Sequence, residues 1–296
     1  MDLLSIDSLT DAQIEQILEG GLRWFERNRS GAHSLDALAG RIVFNVFYEN
    51  STRTAISFAT ATHRLGATAI SLSVEHSSVK KGESLEDTAA TLNAMRPDLT
   101  VIRHRENGAP GRVAEVMDAP VINAGDGTNE HPTQALLDAA TLRQRFGSIE
   151  GLKVAICGDI KHSRVARSNA KLLPRLGAEV RLAGPQELMP SGNPQLSIND
   201  AITGADVVMM LRVQRERLEK DLGDAPGEYL NSYGLTEARL GRAAPDAVVM
   251  HPGPMNRGVE IDSAIADDEQ RSLIRTQVEM GVAVRMACLE LMLGGS

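Results

Sequence analysis

The chain has 296 residues, of which 42% are hydrophobic and 24% charged, and its formal net charge at pH 7 is -8. This composition is typical of a soluble globular protein that is long enough for two domains. The acidic balance argues against nucleic acid or an anionic membrane as a partner, because both attract basic surfaces.

The two cysteines, Cys157 and Cys288, lie far apart and lack the spacing of a zinc site or a disulfide framework. The first residues, "MDLLSIDSLTDAQ", lack the basic start and apolar core of a signal peptide. The most apolar long stretch, 273–293, carries four charged residues and is predicted to be an amphipathic packing helix. We therefore expect a cytoplasmic protein with no metal and no membrane-spanning segment.

Strand-like and helical segments alternate in the first half of the chain. After an amphipathic helix at 8–28, β-branched and aromatic runs predict strands at 42–47, 67–74, 99–104 and 120–124. A polar segment follows each strand, in chain order "ENSTRT", "EHSSVKKGES", "RHRENG" and "GDGTNEHPTQ". This alternation predicts βαβ units and a parallel sheet, in which ligands bind at the carboxyl ends of the strands.

The second half repeats the pattern. A helix at 131–146 leads into "LKVAICGDIKHSRVARS", and further strands are predicted at 179–183, 206–211 and 247–250. The fold class is thus α/β, with two domains that each have a parallel sheet flanked by helices. The predicted domain bounds are 1–133 joined by a C-terminal helix of about 278–296, then 147–277, with 134–146 as the linking helix.

The segment "NSTRT" lies where the first strand gives way to a helix. A helix start has backbone N–H groups without intrahelical partners, and here it adds the hydroxyls of Ser51, Thr52 and Thr54 and the guanidinium of Arg53. Together these groups suit a dianionic phosphate. The alternative is an ordinary N-cap. No lysine-bearing nucleotide loop and no G-x-G-x-x-G follows a strand, so the segment predicts a small phosphate compound.

Seven motifs occur in order: "STRT" (51–54), "KKGES" (80–84), "RH" (103–104), "HPTQ" (131–134), "GDIKHSR" (158–164), "RVQ" (212–214) and "HPGP" (251–254). In this order they resemble the aspartate/ornithine carbamoyltransferase family from end to end. The resemblance implies an active site in the cleft between the domains, a homotrimer with shared active sites, and no cofactor or metal. The implied reaction transfers the carbamoyl group of carbamoyl phosphate to the amine of L-aspartate, giving N-carbamoyl-L-aspartate and phosphate, in de novo pyrimidine biosynthesis.

The resemblance also assigns roles to single residues. Thr54, Arg103 and His131 would surround the carbonyl oxygen, where donors stabilise negative charge in the transition state. His131 lies at a helix start, which lowers its pKa and favours a neutral donor. The expected catalytic residues are Arg53, Thr54, Lys81, Arg103, His131 and Gln134. The expected carbamoyl phosphate ligands are Ser51, Thr52, Arg53, Thr54, Ser77, Ser78, Arg103, His131, Gln134, Pro252, Gly253 and Pro254.

Aspartate carries two carboxylates, so its recognition requires two cationic contacts. By resemblance, Arg164 would bind the α-carboxylate, and Arg212 with Gln214 the side-chain carboxylate. Thr133 and Gly253 stand at positions where the ornithine relatives typically carry a cysteine. The resemblance therefore favours aspartate as the acceptor.

The family loop that contains "KKGES" enters the active site of the neighbouring subunit. Lys81, which also belongs to the aspartate site, and either Ser77 or Ser78 would reach the substrates from there. The sequence does not decide between the two serines. Ser84 is predicted to cap the next helix, with Asp87 three residues on.

Glu49 is expected to pair with Arg164 and Arg217 when the domains close over substrate. The chain departs from the usual family pattern at Ala55 and Ala59, where an exposed Arg–Glu pair would add only about 0.3 to 0.5 kcal/mol. "HPGP" in place of "HPLP" keeps the backbone carbonyls, and we predict a cis Gly253-Pro254 bond there.

Two other interpretations compete with this one. The chain could carbamoylate a different amine, or it could be a catalytically silent homologue kept as an assembly subunit. Arg53, Lys81, Arg103 and His131 are all present, which argues against the second interpretation. A regulatory chain or a dihydroorotase is a possible partner that the sequence does not decide.

Overall fold

The structure is a computed structural model that describes residues 1–31, 36–73, 83–192, 196–213 and 227–294. The chain forms two compact units. The first comprises Met1–Ala140 and Glu279–Ser296, and the second comprises Thr141–Val278. The first unit is therefore built from two separate stretches of sequence.

Helices and strands alternate through the first unit. They are α1 (Asp11–Arg29), β1 (Ile42–Phe47), α2 (Thr52–Arg64), β2 (Thr68–Ser73), α3 (Leu85–Ala94), β3 (Leu99–His104), α4 (Ala109–Ala114) and β4 (Val121–Asp126). Within the described residues, the strands form one parallel sheet in the order β2-β1-β3-β4. The inner strand β3 is buried along its whole length, as expected for a parallel sheet covered on both faces.

The second unit has the same plan. Its elements, with the two helices that run from one unit into the other, are α5 (Pro132–Phe146), β5 (Lys153–Cys157), α6 (Arg164–Arg175), β6 (Glu179–Ala183), α7 (Ile198–Ile202), β7 (Val207–Met210), α8 (Glu228–Tyr233), α9 (Glu237–Leu240), β8 (Val248–Met250), α10 (Ser263–Ala266) and α11 (Ile274–Leu293). A short 3-10 helix, Gln186–Leu188, follows β6. The described strands pair in parallel in the order β6-β5-β7-β8.

Helix α1 packs closely on the last turns of α11 in the first unit. A Cβ atom added at Gly21 would lie 2.7 Å from Cγ2 of Val284, and one added at Gly20 would lie 2.9 Å from Cβ of Ala287. At the edge of this contact the indole of Trp24 donates a hydrogen bond to Glu290 (3.1 Å). The two glycines therefore allow a backbone approach that any larger residue would obstruct.

The predicted α/β class with two parallel sheets is confirmed. The bounds of β1, β3 and β6 also agree with the prediction. The last helix begins at Ile274, one residue after the start of the predicted stretch 273–293. Residues 271–273 instead bond to strand β8, because Val249 donates to the carbonyl of Arg271 and accepts from Leu273 (2.8 Å each). Among the helices of the described ranges, none combines the length and apolar character that crossing a bilayer requires.

Candidate active site

The first sheet brings three of the predicted segments to one edge, within the residues that the structure describes. The strand β1 lies between β2 and β3, so the sheet order reverses beside it. Ligands of open α/β sheets bind at the carboxyl ends of strands at such a point. The "STRT" segment follows β1, Arg103 lies at the end of β3, and His131 follows β4. These three segments thus lie at the carboxyl ends of three successive strands of the sheet, β1, β3 and β4.

Ser51 occupies the N-cap position of α2 without acting as a side-chain cap. Its backbone has φ -154° and ψ 86°, and its side chain makes no capping hydrogen bond. The hydroxyl instead donates to Oγ1 of Thr54, 2.9 Å away. Thr52 and Arg53 are exposed. The ordinary N-cap interpretation of this serine is therefore wrong, and the side chain of Ser51 leaves the N–H groups of the first turn of α2 available to an anion.

Arg103 is held between two neighbouring strand ends. Its residue is only 9% exposed. Nη1 donates to the carbonyl oxygen of Ala124 (3.2 Å), and Nη2 donates to Oε1 of Glu49 (3.0 Å). Charge-assisted bonds of this kind fix the direction of a guanidinium plane. Arg103 is thus a preoriented cation at the end of β3.

The contact between Glu49 and Arg103 lies within one unit and was not anticipated from the sequence. The expected pairing of Glu49 with Arg164 and Arg217 stays a prediction, and Arg217 lies outside the described residues. Glu49 follows β1 and Arg103 ends β3, so their ion pair links adjacent strand ends. The same carboxylate therefore orients a residue that we expect to bind the carbonyl oxygen.

His104, the neighbour of Arg103, is also anchored. Its Nδ1 accepts a hydrogen bond from the backbone N–H of Glu106 (3.0 Å), and its ring lies 4.7 Å from that of Tyr48. Burial lowers the pKa of His104 below its usual value of 6.5. The imidazole is therefore neutral at pH 7 and acts as a structural acceptor.

The loop before His131 is shaped by a buried carboxylate. Asp126 accepts from the backbone N–H groups of Gly108 (2.7 Å) and Glu130 (3.1 Å). Glu130 in turn accepts from the N–H of Ile6 (2.9 Å). Both acids are 1% exposed. His131, which is 4% exposed, directly follows this braced segment and precedes α5.

A glycine is required within the same loop. Gly127 has φ +46°, a region that side chains rarely adopt. A Cβ atom there would lie 2.0 Å from Oδ1 of Asn107 and 2.9 Å from the carbonyl oxygen of Arg105. The loop "GDGTNE" can take this course only with glycine at its turn.

Gln134 lies on the first turn of α5 and is 9% exposed. Its Nε2 donates to Oδ1 of Asp138, one turn later, over 3.0 Å. The amide is therefore oriented by a carboxylate that the sequence analysis did not single out.

The second sheet places its predicted residues in a corresponding way. Strand β5 lies between β6 and β7, and Arg164 and Arg212 follow β5 and β7. The side chain of Ser163 caps α6 by accepting from the N–H of Ala166 (3.1 Å), which makes Arg164 the first residue of the helix. Arg164 is 9% exposed. Two guanidinium groups thus lie at adjacent strand ends of one sheet.

The turn after β5 depends on Gly158 and Asp159. Gly158 has φ +129°, and a Cβ atom there would lie 2.9 Å from the carbonyl oxygen of Leu211. Oδ1 of the buried Asp159 accepts from the N–H of His162 (3.1 Å) and lies 2.9 Å from its Nδ1. The side chain of His162 is therefore held by Asp159 and has a structural role.

The "HPGP" segment follows β8 and is fixed by buried side chains. Nδ1 of His251 accepts from the N–H of Gly253 (2.8 Å), and its Nε2 faces Oε1 of Glu260 at 3.3 Å. Both His251 and Glu260 are at most 2% exposed. The bond between Gly253 and Pro254 is cis, as predicted. The carbonyl groups expected to orient the carbamoyl NH2 thus belong to a turn that the side chain of His251 holds.

Several predicted residues lie outside the described residues: Ser77, Ser78, Lys81, Gln214 and Arg217. Their roles stay predictions. In the part of the chain that the structure describes, no group of three or more His, Cys, Asp or Glu side chains is arranged to hold a metal ion.

Sequence reasoning missed three residues that hold segments with predicted site residues in place: Asp126 and Asp138 in the first unit, and Glu260 in the second. Asp126 could have been recognised because an aspartate between two glycines at a strand end is typical of a residue that binds loop N–H groups. Asp138 follows Gln134 at helical spacing, which places the two side chains on one face. No local pattern marks Glu260, because its partner His251 is nine residues away.

Comparison with known proteins covers nearly the whole chain. The sequence models for aspartate/ornithine carbamoyltransferase match it, the carbamoyl-P binding domain over residues 1–144 and the Asp/Orn binding domain over residues 150–292. An aspartate carbamoyltransferase catalytic subunit from Granulibacter bethesdensis is 56% identical over 294 residues, which cover 97% of this chain and 93% of that relative.

Two solved structures show the same fold. One is aspartate transcarbamoylase from Trypanosoma cruzi in complex with N-(phosphonacetyl)-L-aspartic acid, with a TM-score of 0.85 and 31% identity over 97% of this chain and 94% of that one. The other is ornithine carbamoyltransferase from Pyrococcus furiosus, with a TM-score of 0.89 and 27% identity over 100% and 97% of the two chains. By its sequence motifs, its two parallel sheets and these similarities, the chain belongs to the aspartate/ornithine carbamoyltransferase family.

Proposed function

We propose that this chain is an enzyme that transfers the carbamoyl group of carbamoyl phosphate to the amine of L-aspartate, in de novo pyrimidine biosynthesis. The observation that carries the proposal is the 56% identity, over 97% of the chain, to a protein named aspartate carbamoyltransferase catalytic subunit. The edge of the first sheet supports it, because the "STRT" segment and the preoriented guanidinium of Arg103 lie at the ends of two adjacent parallel strands, β1 and β3.

The reaction requires an anion cradle and an oxyanion site. The lone pair of the aspartate amine attacks the carbamoyl carbon and negative charge develops on the carbonyl oxygen. The carbon–oxygen bond to phosphate then breaks, the phosphate leaves with the bonding electrons, and it takes up the proton that the amine loses. We assign Ser51, Thr52, Arg53 and Thr54 to the phosphate, and Thr54, Arg103 and His131 to the carbonyl oxygen.

Neutral His131 would donate to the developing oxyanion, and the Gln134 side chain with the backbone of Pro252 and Gly253 would orient the carbamoyl NH2. Orientation of this kind lowers the barrier because the carbon is held in line with the attacking amine. The braced loops around these residues support the assignment, since side chains held by buried hydrogen bonds need little reorganisation.

Two guanidinium groups in the second unit support aspartate as the amino acid that accepts the carbamoyl group. Arg164 would bind the α-carboxylate of aspartate, and Arg212 with Gln214 the side-chain carboxylate. Ornithine carries an ammonium group in place of the second carboxylate, so a second guanidinium would repel it. We also propose that 1–133 with about 278–296 forms the carbamoyl phosphate-binding domain and that 147–277 forms the aspartate-binding domain.

We further propose a homotrimer in the cytoplasm in which Lys81, with Ser77 or Ser78, acts in the active site of a neighbouring subunit. Two unpaired cysteines support a reducing compartment. Subunit mixing tests the shared site: Lys81→Ala and His131→Ala chains should each be nearly inactive and should regain partial activity together. Absence of recovery after verified subunit exchange would argue for self-contained sites.

The central experiment measures N-carbamoyl-L-aspartate formation by the purified chain, with aspartate and ornithine compared at equal concentration. We expect turnover with aspartate and little with ornithine. Preference for ornithine or another amine would overturn the acceptor assignment, and turnover with neither would favour the silent homologue.

A further inference from the structure

The amide of Gln134 can adopt one orientation only. Its Nε2 lies 3.0 Å from Oδ1 of Asp138, and the two residues are 9% and 0% exposed. An ionised carboxylate accepts hydrogen bonds and cannot donate them, so the NH2 end of the amide must face Asp138. The carbonyl oxygen Oε1 therefore faces away from Asp138.

This orientation depends on the charge of Asp138, which is the acceptor, and a buried carboxylate requires compensation. Arg285, on α11 in the same unit, is 4% exposed. Its Nη1 donates to Oγ of Ser57 (2.8 Å) and to the carbonyl oxygen of Gly281 (3.2 Å), and its guanidinium lies 5.0 Å from the ring centre of Phe58.

Burial lowers the pKa of Arg285 to about 10, against the attraction of Cys288 and Asp138. The guanidinium is thus still a cation at neutral pH. Asp138 is one of the groups whose negative charge opposes this lowering, so the two buried groups attract each other.

We infer that Asp138 is a positioning residue, which fixes the amide of Gln134 so that Oε1 accepts a hydrogen bond from the carbamoyl NH2, with Arg285 as the compensating cation. The inference rests on the proposed function and deepens it. The carbamoyl NH2 has only donors to offer, so a flipped amide would set two NH2 groups against each other. Asp138 thereby excludes the unproductive orientation without touching the substrate.

The test uses Asp138→Asn, which keeps the shape of the side chain but can either donate or accept. Both orientations of Gln134 then become possible. We expect carbamoyl phosphate to bind about 3- to 10-fold more weakly, the range for one neutral hydrogen bond, while inorganic phosphate binds as in the unmodified chain. Calorimetry with the two ligands separates an effect on the amide from an effect on the phosphate cradle.

A double-mutant cycle distinguishes positioning from a structural role. If Asp138 acts through Gln134, then Asp138→Asn has no further effect on carbamoyl phosphate affinity in a Gln134→Ala background. The matched control is Asp98→Asn, because Asp98 is an aspartate of the same unit that pairs with Arg41 but precedes β3, and so lies at the opposite edge of the sheet. The control should leave both affinities unchanged.

Loss of the single charge could prevent folding, so Asp138→Asn with Arg285→Met removes both charges together. The same selective loss of carbamoyl phosphate affinity is expected. Unchanged carbamoyl phosphate affinity in either variant, or an equal loss of affinity for inorganic phosphate, would overturn the inference. Activity of the unmodified chain would still uphold the proposed function in that case. An unmodified chain that forms no carbamoyl-aspartate would instead overturn the proposed function.

Discussion

Arg103→Lys should impair catalysis while leaving the fold intact. The guanidinium bridges the carbonyl of Ala124 and the carboxylate of Glu49 over 3.2 and 3.0 Å and is expected to bind the carbonyl oxygen of the substrate as well. A lysine carries the same charge on a single nitrogen and cannot keep these directions together. Losing one charge-assisted bond costs about 1.5 to 3 kcal/mol, which corresponds to about a 10- to 150-fold lower kcat/KM.

The assay measures kcat/KM for carbamoyl phosphate at saturating aspartate, together with thermal unfolding. Arg112→Lys is the matched control, since Arg112 lies in the same unit and pairs with Glu86 and Glu106 at exposed positions. Such exposed pairs contribute little, so the control should keep its full activity. If Arg103→Lys retained the kcat/KM of the unmodified chain, the role given to the fixed guanidinium would be refuted.

Three further predictions concern stability and reactivity. Gly21→Ala should lower the melting temperature, because overpacking against α11 costs about 1 to 3 kcal/mol. Gly111→Ala should raise it, because no atom lies within 4 Å of the added Cβ. A higher melting temperature for Gly21→Ala would contradict the close packing of α1 on α11. Burial raises the pKa of both Cys157 and Cys288 to about 12. A thiol reagent at pH 8 should therefore label neither cysteine in the folded protein and both after unfolding. Rapid labelling of the folded protein would refute this prediction. Because the pKa of His104 is lowered in the folded state, the unfolded state binds the proton more readily, and the free energy of unfolding should fall as the pH drops below about 6.5. His104→Asn should lose less stability than the unmodified chain between pH 7 and pH 5. An equal loss in both proteins would argue against a role of His104 in this pH dependence.

The strands were predictable because their apolar runs are bounded by polar segments on both sides. Their order in each sheet was not, since β1 and β3 are adjacent although β2 lies between them in the chain. The motif residues could be assigned to substrates by resemblance, but the sequence gives no sign that Glu49 pairs with Arg103. That ion pair forms because two strand ends are neighbours in the sheet, and the order of the strands is a property of the tertiary structure.

The role of Ser51 also shows where local rules end. The capping preference describes an average serine before a helix. Here the hydroxyl instead bonds to Thr54. Whether the hydroxyl of Ser51 caps the helix or bonds to Thr54 depends on the backbone conformation of Ser51, with φ -154° and ψ 86°. Residue preferences do not predict that conformation.

The division of the first unit into two stretches of sequence has a consequence for biosynthesis. Residues 279–294 leave the ribosome after the whole of the second unit. They nevertheless supply Arg285, whose charge interacts with that of Asp138, and the side chains of Val284 and Ala287 that pack on Gly21 and Gly20. The part of the protein made first is therefore the last to be completed. We expect ribosome-bound chains that stop at residue 278 to be cut by protease mainly within the first 140 residues, and equal resistance of both units would argue against this order of assembly.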